Sequence, residues 1–168
     1  MNLFEPRSEF GTRFDFKHAL TSYTTLIQFF SEDIDFDLPN KVSVIKWITE
    51  TLFFEQKSTE GLSFIFCSDK YLHELNVKYL DHDTLTDIIT FPYHNDGSSK
   101  IEGDIFISID RIKENSKELE TSFEDELHRV IIHGVLHLCG YGDKTEEEKK
   151  EMRRKENESL QKRDFTHK

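Results

Sequence analysis

The sequence predicts an α+β fold, a single domain in which a mixed four-stranded sheet is packed with about five helices and a metal site lies on a central helix. Three observations lead there. Four short runs rich in β-branched and aromatic residues alternate with stretches whose apolar residues recur at helical spacing. Their order is strand, helix, strand, helix, two strands, then helices. The stretch from Leu127 to Cys139 is apolar almost all round, the mark of a buried, central helix.

Leu26-Ile27-Gln28-Phe29-Phe30 reads as the first strand. After Pro39-Asn40, Val42, Ile45, Ile48, Thr49 and Leu52 fall on one helical face, widened by Trp47 and Phe53. Gly61 marks a turn into a second strand, Leu62-Ser63-Phe64-Ile65-Phe66, whose apolar content predicts burial. Ser68 or Asp69 caps a helix carrying Tyr71, Leu72, Leu75 and Tyr79. Ile88-Ile89-Thr90-Phe91 is a third strand, which Pro92 ends or places at an edge. The cluster Asn95-Asp96-Gly97-Ser98-Ser99 is a turn. Gly103-Asp104 introduces a fourth strand in which Ile105, Ile107 and Ile109 alternate with Phe106 and Ser108, and Asp110 caps a helix through about Asn115. Ser122-Phe123-Glu124-Asp125 has the form of a capping box, and its helix carries Leu127, Val130, Ile131, Gly134, Val135 and Leu138. Thr145-Glu146-Glu147-Glu148 is a second box, opening a charged helix that includes Met152 and Leu160.

The 168 residues, 36% hydrophobic and 33% charged, have the composition of one folded domain, with only three prolines and seven glycines to form linkers. Residues 1–24 read as a leader: Arg7-Ser8, Glu9-Phe10 and Gly11-Thr12 are what common cloning sites encode in frame, and a disordered extension is the alternative. The domain is expected over 25–168. The net charge of −11 argues against indiscriminate nucleic-acid binding, which is driven by positive charge on phosphates, but leaves room for a local basic patch. Cys67 and Cys139 form no CxxC pair and read as buried, reduced thiols. No apolar run approaches a membrane span, so a cytoplasmic protein with no membrane partner is expected.

The chemistry concentrates in His133-Gly134-Val135-Leu136-His137-Leu138-Cys139-Gly140-Tyr141-Gly142-Asp143. Residues four apart stack on one helix face, so His133 and His137 present paired imidazoles. Gly140 ends the helix in a left-handed cap, and the chain returns Asp143 beside them. Two His and one carboxylate leave a coordination position open, as in catalytic zinc sites. The ligands predicted are His133, His137 and Asp143 for one Zn(2+) per chain, with both histidines acting in catalysis through the metal and its water. The H-x3-H-x2-G-x2-D spacing matches metzincin proteases except in its last letter. However, Gly134 stands where HExxH peptidases carry their glutamate base, which makes a metallopeptidase the third choice.

The same run resembles the signature HGxLHLxGYDH of the YbeY endoribonuclease family. Leu75-Asn76-Val77-Lys78-Tyr79, Asp83 and Thr86-Asp87-Ile88-Ile89-Thr90-Phe91-Pro92 are similar to its LNxxYRxxDxxTDVLSFP stretch. Gly103-Asp104-Ile105 resembles its GDI strand, and His128 a histidine preceding the metal-binding run; the resemblance spans about Ile27 to Leu160. It departs in two places. Asp143 stands for the third metal histidine, with Gly142 at the family's aspartate, and Leu80 replaces an arginine that would hold phosphate. Lys78, Arg111 and Arg129 are the candidate substitutes. The resemblance implies a zinc-dependent single-strand endoribonuclease of ribosomal RNA maturation, acting at the 3′ end of small-subunit rRNA and in ribosome quality control. Its partners would be single-stranded or ribosomal RNA and the small subunit or associated factors. The alternative is a ribosome-biogenesis factor with a mainly structural metal. Glu126 could orient a histidine, while Asp87 and Asp104 are as readily structural caps.

Overall fold

The computed structural model describes residues 25–166, so the expected leader over 1–24 lies outside the described residues. The elements run β1 (Ile27–Ser31), α1 (Lys41–Phe54), β2 (Ser58–Cys67), α2 (Asp69–Leu80), β3 (Ile88–Pro92), β4 (Lys100–Ser108), α3 (Ile109–Glu118), α4 (Phe123–Leu138) and α5 (Glu146–Gln161). The α+β expectation holds: a four-stranded mixed sheet and, among the described residues, five helices.

The strand order is β1-β2-β4-β3. β1 and β4 flank β2 in parallel, while β3 runs antiparallel to β4. Pro92 therefore sits on an edge strand, where a missing N–H breaks no inner ladder. Its partner across the ladder, Gly103, is held to glycine by crowding, since a Cβ there would lie 2.5 Å from the Phe91 carbonyl oxygen. One face of the sheet packs its buried residues, among them Phe64, Ile105 and Ile107, against Trp47 and Ile48 of α1 and Leu127, Ile131 and Val135 of α4. The other face is covered by α2, with Leu72 against Cys67 and Ile89. α4 lies in the middle, between α3 and α5 and over β3 and β4.

Several boundaries differ from expectation. Gly61 is not a turn before β2 but sits inside it, beside a bulge where Thr59 faces Ile101 and Gly61 faces Glu102. Gly103-Asp104 likewise lies within β4, which starts at Lys100. Ile109 is the first residue of α3 rather than the last of the strand, because Ser108, not Asp110, supplies the cap by accepting the Arg111 N–H. Ser122 caps α4 by accepting the Asp125 N–H, a single cap bond in place of the expected box. The Thr145–Glu148 box is complete. Cys67 and Cys139 are both free, and burial pushes each thiol up to about 12.

Candidate metal centre

α4 is apolar on so much of its surface that ten of its residues are buried, and this fixes which way the remaining flank faces. His133 and His137 lie on that flank, each side chain about one-fifth exposed, with ring centroids 4.4 Å apart. Gly134 lets the helix press onto the sheet. A Cβ there would lie 2.7 Å from Ile88 Cδ1 and 2.9 Å from Ile105 Cγ2, so the glycine serves close packing and no side chain fits beside His133.

The helix ends as the sequence predicts. Gly140 adopts φ 104°, its N–H donates to the His137 carbonyl (2.9 Å), and the Tyr141 N–H donates to the Leu136 carbonyl (3.1 Å). These two bonds form a Schellman motif. His94, just after β3, accepts the Glu102 N–H at Nδ1 and donates from Nε2 to the Leu138 carbonyl at 3.0 Å, tying the helix end to the sheet. The reversed chain then brings Asp143 Oδ2 to 3.6 Å from His133 Nε2 and 3.4 Å from His137 Nε2. Glu148 holds the following segment by accepting the N–H groups of Lys144 and Thr145. Gly142 leaves that carboxylate its space, because a Cβ would lie 2.7 Å from Glu148 Cδ.

All three sequence-predicted ligands thus converge, their donor atoms lying within 4.8 Å of one another. The donor set fits a transition metal. Bonds of about 2.0–2.2 Å in a tetrahedral zinc site put ligand atoms roughly 3.3–3.5 Å apart, close to the two His–Asp distances. The ring orientations fit as well. His133 Nδ1–H donates to Glu156 Oε1 (2.8 Å) and His137 Nδ1–H donates to the Tyr141 carbonyl (2.9 Å). A carboxylate and a carbonyl can only accept, so both Nε2 lone pairs are left facing Asp143. Burial, reinforced by neighbouring His133, holds the His137 pKa below that of a free imidazole and favours the neutral, ligating form.

Glu156 is the residue that sequence reasoning missed. Burial opposes its charge, but the His133 hydrogen bond, Arg153 and Arg129 outweigh that and hold its carboxyl below the usual range. Its signal was present: Glu156 stands four residues after Met152 and four before Leu160, an acidic side chain on the apolar stripe of α5. Glu126, a candidate for orienting a histidine, makes no hydrogen bond to either one. It is buried, with Oε2 unpartnered, and burial together with Asp87 raises its pKa. Asp87 accepts from Asn115 Nδ2 and Asp104 from the Tyr93 hydroxyl, both structural bonds. Of the candidate substitutes for the missing arginine, Arg111 is engaged by Asp69 and Glu114, and Lys78 lies over the Tyr79 ring. Only Arg129 of the three is near the histidines, and it is bound to Glu156 and Asn157. Leu80 is 44% exposed and offers no charge.

The profile of the family described as "Endoribonuclease YbeY" matches residues 26–164. A curated "Endoribonuclease YbeY" of Amoebophilus asiaticus is 51% identical over 130 residues, 77% of this chain and 88% of its own. That of Cytophaga hutchinsonii is 49% identical over 139 residues, 83% of this chain and 96% of its own. A Thermotoga maritima protein solved in solution superposes with a TM-score of 0.56 at 26% identity, covering 81% of this chain and 87% of that one.

Proposed function

The chain belongs to the YbeY endoribonuclease family, and from that premise we propose that it is a zinc-dependent enzyme of ribosomal RNA maturation whose metal is held by His133, His137 and Asp143. Its substrate is single-stranded RNA, with the 3′ end of small-subunit rRNA and ribosome quality control as its setting, and the cytoplasm as its place. No described helix is long and apolar enough to cross a membrane. The observation that carries the reading is the convergence of three donor atoms whose spacing suits one ion.

A zinc ion held by His133, His137 and Asp143 would supply Lewis acidity toward a phosphoryl oxygen and would lower the pKa of water toward neutrality. The protein's own part is to aim two neutral imidazoles and one carboxylate at a common point. Gly134, packed against Ile88 and Ile105, leaves no room after His133 for the glutamate base of a peptidase, which favours phosphodiester over peptide chemistry. Partial exposure of both histidines and of Asp143 keeps one side of the site open to substrate. The exposed apolar Leu80 favours the second reading, a biogenesis factor with a structural metal.

Metal-loaded protein incubated with single-stranded RNA, beside a His133→Ala control, separates the two. The nuclease reading expects cleavage by the wild type alone. Equal cleavage by both would mean a contaminating nuclease and remove the support for catalysis.

A further inference from the structure

We propose that α5 sets the metal affinity of the site by bracing both histidines, with Glu156 acting on His133 directly and Lys155 on His137 through Glu55 and Tyr141. The inference rests on the metal-centre reading above and adds four positioning residues to it. Adjacent residues on a helix point about 100° apart, so Lys155 and Glu156 reach different neighbours from one turn.

The first brace is short. Glu156 is 3% exposed. Its Oε2 accepts from Arg129 at 3.0 Å and is ion-paired with Arg153 at 3.0 Å, while Oε1 accepts from His133 Nδ1 at 2.8 Å. A buried carboxylate held from one side by two guanidinium groups cannot swing, so the ring bonded to its other oxygen is fixed as well.

The second brace is a relay. Lys155 Nζ donates to both Glu55 oxygens, at 2.8 and 3.0 Å. Glu55 Oε2 accepts the Tyr141 hydroxyl at 2.6 Å, and the Tyr141 carbonyl accepts His137 Nδ1–H at 2.9 Å. The Lys155 and Glu55 side chains are only 18% and 11% exposed, so solvent screens the pair little. Tyr141 follows the left-handed Gly140, and its side chain is anchored to Glu55, just past α1, with Lys155 of α5 over its ring, which holds the backbone carbonyl in place. Both Nε2 atoms are thereby placed before any ion arrives, and ordering ligands in advance raises affinity.

The test is the Kd for Zn(2+), read by competition with a chromophoric chelator, alongside circular dichroism and the thermal midpoint of each variant. Glu156→Met removes the acceptor at similar length, and Arg129 retains Asn157 and water as partners. Its Kd should rise about 10–100-fold, the range for lost outer-shell partners of metal ligands. Glu156→Gln, whose amide oxygen still accepts from His133, should recover part of that loss. Tyr141→Phe keeps the carbonyl but frees the turn, and should weaken binding by up to about tenfold. Wild-type affinity in a folded Glu156→Met protein overturns the first brace, and wild-type affinity in Tyr141→Phe overturns the second. Should Glu156→Met fail to fold, the exposed Arg153→Ala, which releases one guanidinium from the same carboxylate, takes its place, and wild-type affinity there overturns the first brace. A wild type that holds no Zn(2+), or a His137→Ala variant that holds it equally well, instead overturns the metal-centre reading and the braces with it.

Discussion

At the residue scale, the histidines of this protein divide by what their nitrogens meet. His128 is 3% exposed, between Trp47 and Phe165, and its Nδ1 accepts from Arg163 at 2.8 Å. Burial, then the Arg163 charge, lowers its pKa from 6.5 to about 4. The unfolded chain therefore takes the proton first as pH falls. Stability from neutral His128 is complete above about 6.5 and is lost as pH drops toward 4, for a total of about 3 kcal/mol. Urea unfolding across that range should show the decline in the wild type. His128→Asn, which offers Arg163 an acceptor that does not titrate, should decline correspondingly less, and equal slopes would contradict the assignment. His133 and His137 were legible as a pair from their spacing alone, and Asp143 from the glycine turn between them. Glu156 was not, because its bond to His133 spans two helices and sequence spacing registers only neighbours within one element. Glu126 fails for a different reason: it stands on the same helix but roughly 10 Å of rise before His133, and it is buried.

At the element scale, α4 is fixed by what it packs against. Gly134→Ala would gain up to about 1 kcal/mol of helix propensity. It would also drive a methyl into Ile88 and Ile105, an overpacking that costs about 1–3 kcal/mol, and the clash should win. The thermal midpoint of Gly134→Ala should fall, and adding Ile88→Val, which deletes the Cδ1 atom in the way, should restore part of it. An unchanged midpoint would mean the helix stands off the sheet. That position 134 carries no general base was legible, while the atoms its glycine approaches needed the fold. Element ends were legible where a side chain caps its own helix, as at Ser68 and Thr145. They were misread at Gly61 and Gly103, because a bulge and a crowded edge ladder call for glycine as a turn does.

At the scale of the whole molecule, the sheet composition was legible but its order was not. β4 inserts between β2 and β3, so the last strand in sequence takes a central place. Its apolar alternation fits an edge or a centre equally well, and only the helices packed on both faces decide. That order sets β3 under α4, lets His94 tie the edge strand to the helix end, and leaves the His133–His137 flank facing the returning Asp143. With a net charge of −11, general attraction for RNA is weak, so substrate engagement is expected to depend on the proposed metal centre. The most direct measurement is therefore metal analysis of the purified protein after stripping and reloading with zinc. One ion per chain in the wild type, with loss of most of it in His137→Ala, is the predicted result. Full occupancy in His137→Ala would contradict the proposed centre.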